Sequence, residues 1–558
     1  MLQRNRSSIA TGVLLVIVAG LTLGPAVMLV VGSFSEGLGA LGAFTVEKYA
    51  EVYTDPRLYR VVTNTVIFTL GSALLATTLA FVLAYLNFRT DIPFRGALHL
   101  IPIVSMMVPH LAFGTSWALL LNPSNGIINI FLRDILGLGV INVYSMAGMI
   151  FVEGLLDLPI AYLVIAAAMS SFNSSMEEAS WTSGASRART LRRIVLPMLR
   201  PALLAAVILV IIRALSAFAI PSVLGLPGQV EVMTTYIYRL VTVGFLPDFG
   251  KAAAVGVSVL ASAVVLVFVY RYLTAASERF VTISGRGYTR STIHLGKLRY
   301  PLGLFTLLVA GLLIVLPVVV LLYTSLVPYM MVPSAAAFEM MTLRHWEFVS
   351  SDALMLRALR NSIFLAVVGA TLGVVLSAFV SYLIVRVRTT ASSILEILTF
   401  MSFAFPGLVI GIGFMWFFVR TDLYATIWAL LIAYIATYLP FGIRPLTSTF
   451  IQISKELEDA SAMSGAGFLR TFRRIIAPLA LPGLVSGWTL MAVMFVRELD
   501  VSVILARPGS EVLSVQMYSA VQDALWGRVA ALGMIMIAIS STLVGLASLV
   551  TRRMHRAE

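Results

Sequence analysis

The chain has 558 residues, of which 59% are hydrophobic and only 12% are charged. Because soluble domains carry about a quarter charged residues, this composition excludes a soluble protein and predicts an integral membrane protein. The sequence has no cysteine, which excludes disulfides, thiolate metal sites and cysteine nucleophiles. The net charge of +13 comes from Lys and Arg at the termini and in short segments between apolar runs. That distribution signals membrane topology, so we expect contact with membrane lipid and not with nucleic acid.

Apolar runs long enough to cross a membrane occur twelve times along the chain. A spanning helix needs roughly 20 mostly apolar residues. The first half carries six such runs, at 9–31, 61–87, 97–121, 142–169, 200–221 and 251–273. The second half carries six more, at 301–327, 360–385, 394–419, 423–443, 481–503 and 528–550. The sequence therefore predicts an all-α polytopic membrane protein with twelve transmembrane helices.

The basic residues orient these spans. Lys and Arg are enriched in short cytoplasmic loops. The basic groups around Arg89, Arg187, Arg386 and Arg473 all fall on one side when the N-terminus lies inside. Both termini are therefore expected to be cytoplasmic. The first apolar run has no small-residue cleavage site, so we expect it to remain as an uncleaved span.

The stretch 177–201 recurs at 458–482. The copies read EEASWTSGASRARTLRRIVLPMLRP and EDASAMSGAGFLRTFRRIIAPLALP, with 13 of 25 positions identical. Elsewhere Asn64 and Pro109 match Asn361 and Pro406. Since six spans return the chain to its starting side, the halves are predicted to be parallel repeats. The expected divisions are a first repeat at 1–273 with its loop at 174–201, a cytoplasmic linker at 274–300, and a second repeat at 301–558 with its loop at 455–482.

Each copy of this motif is expected to begin with a short helix. Residues 173–175 supply N-caps in the first copy, and acids fall in the first turn, where the helix dipole favours them. Gly184 and Gly465 are expected to end the helices. A second short basic helix should run to Pro197 or Pro478, where the next span begins. Topology alone explains the arginines, but it does not call for Gly-Ala at the same spacing in both halves.

The motif resembles the EAA loop of ABC importer permeases, in which Glu-Ala-Ala precedes Gly and, further on, Ile-x-Leu-Pro. The copies here read Glu-Ala-Ser from residue 178 and Asp-Ala-Ser from residue 459, each with Gly after three more residues. The resemblance implies that each short helix docks into a groove of an ATPase subunit, with small side chains allowing close approach and the acid offering a charged contact. The residues implicated in this coupling are Glu177, Glu178, Ala179, Gly184, Ala185, Glu458, Asp459, Ala460, Gly465 and Ala466.

The same resemblance implies the partners. They are two copies of a cytoplasmic ABC ATPase subunit, which would hold ATP and Mg, and a periplasmic solute-binding protein, assembled at a bacterial inner membrane. This chain has no G-x-x-x-x-G-K-[ST] stretch, so we expect it to bind no cofactor and to hydrolyse no ATP itself. Aromatic residues in the outside loops before Asn64 and Asn361 fit either an interfacial belt or docking of the binding protein.

Several polar residues fall within the predicted spans, where burial in lipid makes them functional candidates. One interpretation is that the arginines and acids form structural ion pairs. The alternative is that the acids and tyrosines line a translocation path suited to a cation with hard oxygen ligands. The candidate path residues are Glu153, Asp157, Tyr434, Tyr438, Arg213, Arg497, Glu498 and Asp500.

The expected substrate is ferric iron, because the segment 496–518 resembles that of ferric-iron permeases. Permeases for thiamine, polyamines and phosphonates share the architecture and remain alternatives. A secondary transporter driven by an ion gradient is the rival from another class, but the Gly-Asp-Arg type loop of such proteins is missing from 87–95. The 5 histidines are scattered singly, so no firm metal site is predicted.

Overall fold

The computed structural model describes residues 2–35, 44–171, 175–242, 247–277, 292–387, 389–402 and 405–554. Within these ranges the chain consists of α-helices with short 3-10 and π-helical turns, and its only extended pairings are two isolated β-bridges. The prediction of an all-α polytopic membrane protein is therefore confirmed.

The helices of the first repeat follow the predicted order. Their bounds are α1 (Leu2–Ser33), α2 (Pro56–Arg89), α3 (Arg95–Ser105), α4 (His110–Leu121), α5 (Met146–Ser171), α6 (Ser175–Thr182), α7 (Leu196–Ser216), α8 (Met233–Thr242) and α9 (Phe249–Ser277). The second basic helix predicted in the motif is not separate, since residues 187–195 continue directly into α7 as one apolar helix from Arg187 to Ser216.

The second repeat repeats this order. Its helices are α10 (Arg299–Ala310), α11 (Leu316–Leu326), α12 (Ala353–Phe364), α13 (Ala370–Arg386), α14 (Thr390–Met401), α15 (Gly407–Phe418), α16 (Ile427–Gln452), α17 (Glu456–Met463), α18 (Leu481–Val496), α19 (Leu513–Gln522) and α20 (Trp526–Met554). Two pairs, α10 with α11 and α12 with α13, are each continuous through a π-helical turn. The predicted linker is shorter than expected, because α9 extends to Ser277 and α10 begins at Arg299; residues 278–291 lie outside the described ranges.

Among the described residues, nine helices are long and apolar enough to cross a membrane. The count becomes ten if Phe472–Leu479 and α18, which meet at 65°, form one bent span. The prediction of continuous spans at 97–121 and 394–419 is wrong, because each is a pair of short helices. The total of twelve crossings thus stays a prediction.

Two prolines explain the broken spans. Pro109 and Pro406 have extended backbone angles (φ −61°, ψ 141° and φ −60°, ψ 131°) and stand immediately before α4 and α15. Proline lacks an N–H group and disfavours helical geometry at the residue before it. The chain therefore leaves one helix and starts another at each proline, deep in the membrane protein.

The peripheral helices of each repeat pack against the other repeat. In the first repeat α1 and α9 pack on α15 of the second, and in the second repeat α11 and α20 pack on α4 of the first. The helices approach each other closely at two glycines. A Cβ added at Gly533 would lie 3.3 Å from the Cβ of Ala112, and one added at Gly256 would lie 3.2 Å from Val409. The helices α4 and α15 consequently lie at the centre of the molecule, almost fully buried.

Equivalent hydrogen bonds hold the outer ends of the two repeats. Asn64 on α2 donates to the carbonyl of Glu231 at 3.0 Å, and Asn361 on α12 donates to the carbonyl of Glu511 at 2.9 Å. The matched asparagines thus fasten the loop before α8 in one repeat and before α19 in the other.

Candidate functional site

A cavity of about 410 Å³ lies between the repeats. Helices α5, α7 and α9 of the first repeat and α16 and the 494–500 segment of the second contribute to its wall. The lining includes apolar side chains, among them Phe218, Tyr270 and Phe400. Its polar and charged members are His110, Glu153, Arg213, Ser216, Ser402, Thr437, Tyr438, Arg444, Arg497, Glu498 and Asp500.

A larger groove of about 760 Å³ has a different character. It runs along α10 and α11 on the outer surface, and its ten lining residues, between Pro301 and Val319, are all apolar. Such a surface on a spanning helix suits lipid chains, so the functional site is better placed in the smaller polar cavity.

Arg213 forms the ion pair that one interpretation of the sequence anticipated. Its Nε lies 2.7 Å from Oδ1 of Asp157, which is fully buried. Arg213 itself lines the cavity, whereas Asp157 lies behind it and is absent from the lining. Asp157 therefore does not line the cavity in this structure, and its place on the path stays a prediction.

Arg497, the equivalent arginine of the second repeat, has different partners. Among the described residues it forms no ion pair, and it donates instead to the carbonyl of Met106 at 3.0 Å and contacts the sulfur of Met494 at 3.0 Å. Because Met106 precedes the break at Pro109, this contact joins the 494–500 segment of the second repeat to the broken span of the first.

Glu498 is held in place by its neighbours. It accepts hydrogen bonds from the hydroxyl of Tyr438 and, at 2.6 Å, from the backbone N–H of Val501. Tyr438 and Glu498 both line the cavity. Tyr434 does not, since it is fully buried with its hydroxyl 2.5 Å from Oγ of Ser502. Tyr434 is thus absent from the cavity lining, and its place on the path stays a prediction.

Two carboxylates line the cavity without being taken up by hydrogen bonds to other described residues. Glu153 is only 3% exposed, and its Oε2 has no hydrogen-bond partner among the described residues. Asp500 belongs to the opposite repeat and packs on Gly407. A Cβ added to Gly407 would lie 2.7 Å from the Cβ of Asp500. Within the described ranges no group of three or more His, Cys, Asp or Glu side chains is arranged to hold a metal ion. The two acids thus offer oxygen ligands from both repeats without forming a closed metal site.

Aromatic rings close one end of the cavity. Phe218 lines it and packs against Tyr238 and Tyr518, whose ring centroids are 5.0 Å and 5.5 Å away. Tyr238 and Tyr518 come from α8 and α19 and touch edge to face at 5.6 Å. Since Thr65, at the start of α2, binds the N–H of Met233 at 2.9 Å, this aromatic cluster lies at the end of the repeats opposite to Arg89.

Sequence reasoning missed His110 and Arg444 in the cavity wall. His110 follows Pro109, and its counterpart Gly407 follows Pro406. The paired prolines were a usable signal, because discontinuous helices in matching positions of two repeats mark binding sites in many transporters. Arg444 lies on an otherwise apolar stretch of α16 and gave no comparable pattern.

The repeated motif forms the predicted short helix in both halves, as α6 and α17, which we call the motif helices. Gly184 has φ +79° and Gly465 has φ +77°, the left-handed conformation that glycine adopts most readily. Each glycine follows the helix and donates back into it, to Trp181 at 2.9 Å and to Ala462 at 3.0 Å. Within this chain the glycines serve the backbone conformation, since no other atom of the described residues lies within 4 Å of an added Cβ.

The two adjacent acids of each motif helix, Glu177–Glu178 and Glu458–Asp459, face opposite ways. Glu178 and Asp459 are exposed, together with Ala179 and Ala460. Ala185 and Ala466 are half-buried beside the exposed glycines. Exposed apolar side chains that the sequence reasoning did not single out flank this face: Met176 (54% exposed), Leu457 (44%) and Met463 (89%). This surface therefore combines exposed apolar side chains with an exposed acid in each motif helix.

Glu177 and Glu458 instead point into the protein. Glu177 is 1% exposed, and its Oε2 lies 3.6 Å from Nη1 of Arg89 at the end of α2. Glu458 lies 2.7 Å from Nε of Arg386 at the end of α13, and it accepts a hydrogen bond from Tyr382 at 2.7 Å. These two acids, predicted as part of the ATPase contact, are thus placed as internal anchors of the motif helices.

Two parallel repeats with a polar cavity between them and a short helix at the same end of each define a membrane permease. A sequence profile of the family described as binding-protein-dependent transport system inner membrane component matches the chain twice, at residues 76–279 and 369–556. The chain therefore belongs to this family of ABC importer permeases, as the repeated motif predicted, and is a multi-pass inner-membrane protein.

Curated relatives include two ferric transport permease proteins. The chain is 27% identical over 530 residues to the ferric transport system permease protein FbpB of Actinobacillus pleuropneumoniae, covering 93% of this chain and 74% of the relative. It is 28% identical over 483 residues to the putative ferric transport system permease protein FbpB 1 of Haemophilus influenzae, covering 85% and 73%. The spermidine/putrescine permease PotC of Escherichia coli K12 is 25% identical over 211 residues, covering 38% of this chain and 80% of the relative.

A solved structure is also similar in part. A chain of a bacterial alginate ABC transporter, in complex with an alginate pentasaccharide-bound periplasmic protein, is 20% identical, with a TM-score of 0.35. It covers 43% of this chain and 85% of its own length.

Proposed function

We propose that this chain is the translocation subunit of an ATP-driven importer of ferric iron. A periplasmic binding protein would deliver the ion, and two copies of a cytoplasmic ATPase subunit, holding ATP and Mg, would dock on the motif helices. Both termini would lie in the cytoplasm. Closure of the ATPases would draw the motif helices together and switch the repeats between inward-open and outward-open states.

The observation that carries the substrate proposal is the pair Glu153 and Asp500. Each comes from a different repeat, and both face the cavity, with one oxygen of Glu153 left without a hydrogen bond. Carboxylate oxygens suit hard cations. A pair on opposite sides of a moving interface would hold an ion while the repeats are together and release it when they separate. The similarity to two ferric permeases supports the same substrate.

The test is uptake by the assembled transporter in proteoliposomes supplied with ATP and iron-loaded binding protein. Glu153→Gln and Asp500→Asn keep the shape of the side chains and remove the charge. We expect uptake to fall at least about tenfold, equivalent to about 1.4 kcal/mol of barrier, with the amount of assembled complex unchanged. Wild-type uptake in both variants would contradict the assignment of these acids.

Asp157 provides a matched comparison one helical turn from Glu153. Because Asp157 pairs with Arg213 but does not itself line the cavity, Asp157→Asn should lower the yield of folded protein and leave uptake per folded molecule less affected. The reverse pattern would place Asp157, and not Glu153, on the path.

A polyamine is the second candidate substrate, since the chain is also similar to PotC over about a third of its length and carboxylates bind ammonium groups as well as metals. Competition by spermidine against iron uptake distinguishes the two. A secondary transporter would take up substrate without ATP and stop when the ion gradient is dissipated, so ATP-dependent uptake in the presence of an ionophore separates the classes.

A further inference from the structure

Each motif helix forms an ion pair with a span that is distant in sequence. Glu177 in α6 meets Arg89, and Glu458 in α17 meets Arg386. The arginines end α2 and α13, which are the second spans of their repeats. The next span after each motif helix is a different one, so the ion pair provides a second connection beside the covalent chain.

The same arrangement has arisen twice within one chain, which makes an accidental contact improbable. Arg89 and Arg386 occupy equivalent positions, as do Tyr85 and Tyr382 and the two acids, under the offsets that align the repeats. Neither acid is needed for membrane topology, because acidic residues contribute little to orientation. Burying them costs free energy unless they are paired, so their placement indicates a specific geometric role.

The helices that end in Arg89 and Arg386 pack against helices that form the cavity wall. In each repeat the second span packs along the fourth, α2 on α5 and α13 on α16, and also on the fifth, α7 or α18. Those helices carry Glu153, Arg213 and Tyr438 in the cavity wall. A displacement of the motif helix that moved the end of the second span would therefore reach the cavity through continuous helix packing.

We propose that Glu177 with Arg89, and Glu458 with Arg386 and Tyr382, are positioning residues that carry motif-helix displacement to the second span of the same repeat. This inference rests on the proposed function of an ATP-driven permease. It assigns coupling within the chain to the buried acids, and it leaves the exposed acids, Glu178 and Asp459, to the contact with the ATPase.

The test measures solute taken up per ATP hydrolysed in the reconstituted transporter. Glu177→Gln and Glu458→Gln remove the buried charge, and Glu456→Gln removes an exposed charge from the same helix as Glu458. We expect the ratio to fall about fivefold or more in the first two, the lower range of coupling between sites, and to stay unchanged in the third. The charge exchange Arg386→Glu with Glu458→Arg should restore part of the loss.

A purely structural role predicts a different outcome. Uptake and ATP hydrolysis would then fall together with the amount of assembled complex, and an unchanged ratio would overturn the proposal. If the wild-type complex shows no ATP-dependent uptake at all, the proposed function fails instead.

A distance measurement tests the link without transport. The chain has no cysteine, so two introduced cysteines carry the only spin labels. Labels at the exposed positions Ser464 and Thr390 would report the separation of the end of α17 from the start of α14, which follows α13 directly. In the complex, this separation should stay fixed on adding nucleotide, and it should change in the Glu458→Gln variant. A separation that changes equally in the parent and the variant would contradict a rigid link.

Discussion

The two motif helices share the pattern Glu-x-Ala-Ser but are anchored in different ways. The second is held by an ion pair and two hydrogen bonds: Nε of Arg386 lies 2.7 Å from Glu458, Arg386 also donates to the carbonyl of Ile453 at 2.7 Å, and Tyr382 donates to Glu458 at 2.7 Å. The first contains an ion pair between Arg89 and Glu177 at 3.6 Å, and their side chains are only 3% and 2% exposed. The equivalent acids therefore both point inward, but Glu458 lies closer to its arginine and Glu177 is more deeply buried.

The end of the linker accounts for much of this difference. Ile293 donates to the carbonyl of Arg89 at 2.8 Å, and Leu295 donates to Asp91 at 2.9 Å. That backbone N–H and, to a lesser degree, His294 lower the pKa of Asp91. Arg187 reaches the carbonyl of His294 at 3.5 Å. The linker thus covers the first anchor, whereas the chain after Arg386 passes directly to α14.

The largest expected effect comes from removing the arginines. Arg89→Ala leaves Glu177 buried without its cation, which should cost about 3–5 kcal/mol of stability. Arg386→Ala should cost less, because Glu458 keeps the hydrogen bond from Tyr382 and is more exposed. Thermal unfolding of the purified protein measures both, with Arg89→Ala combined with Glu177→Ala as the control that removes the stranded charge. A greater loss in Arg386→Ala would reverse the comparison.

The glycines should respond alike in both repeats. Gly184→Val and Gly465→Val force a branched side chain into the left-handed region, at about 1–2 kcal/mol each, and should distort the turn after the motif helix. Asn tolerates this conformation, so Gly184→Asn and Gly465→Asn should retain most stability and uptake. If Val and Asn have equal effects, backbone conformation is not the reason for glycine here.

The tyrosines should respond unequally. Tyr382→Phe removes a hydrogen bond to a carboxylate, at about 1.5–3 kcal/mol. The hydroxyl of Tyr85 makes no hydrogen bond with any residue that the structure describes, so Tyr85→Phe should change the unfolding temperature little. Equal losses in the two variants would show that the anchors are more alike than their geometry indicates.

The smallest effect concerns pH. Burial raises the pKa of Glu177, against the lowering effect of Arg89, while Glu178 raises it slightly further. Between the unfolded value near ~4.3 and the raised value, the folded state binds more protons, so stability falls as pH rises through this window. Glu177→Gln removes the titrating group and should gain unfolding temperature relative to the parent as pH rises. A difference that stays constant with pH, or the same trend in Glu178→Gln, would count against this assignment.

The sequence predicted the class of the fold well because its signals are local. Apolar length, basic loops and the repeated motif gave the helices, the two repeats and the family. It failed at 97–121 and 394–419, where composition alone does not show that Pro109 and Pro406 divide an apolar run. The short helices α4 and α15 that follow those prolines pack against helices of the opposite repeat, an arrangement that composition does not show.

The candidate site was predictable in type but not in arrangement. Charge within apolar spans identified Glu153, Arg213, Arg497, Glu498 and Asp500. Which of them pair, which face the cavity and which acid of the motif turns inward depend on helix packing between distant segments. Periodicity places two side chains on one face of a helix, but it does not say what that face meets.

The sequence by itself therefore determined the helices, the repeats and the positions of glycine and charge, because each depends on neighbouring residues. Only the tertiary structure decided that Asp157 is covered by Arg213, and that Glu177 meets Arg89 while Glu458 meets Arg386 and Tyr382. Those contacts join residues dozens of positions apart. Their free energy depends on burial and distance, which exist only in the folded chain.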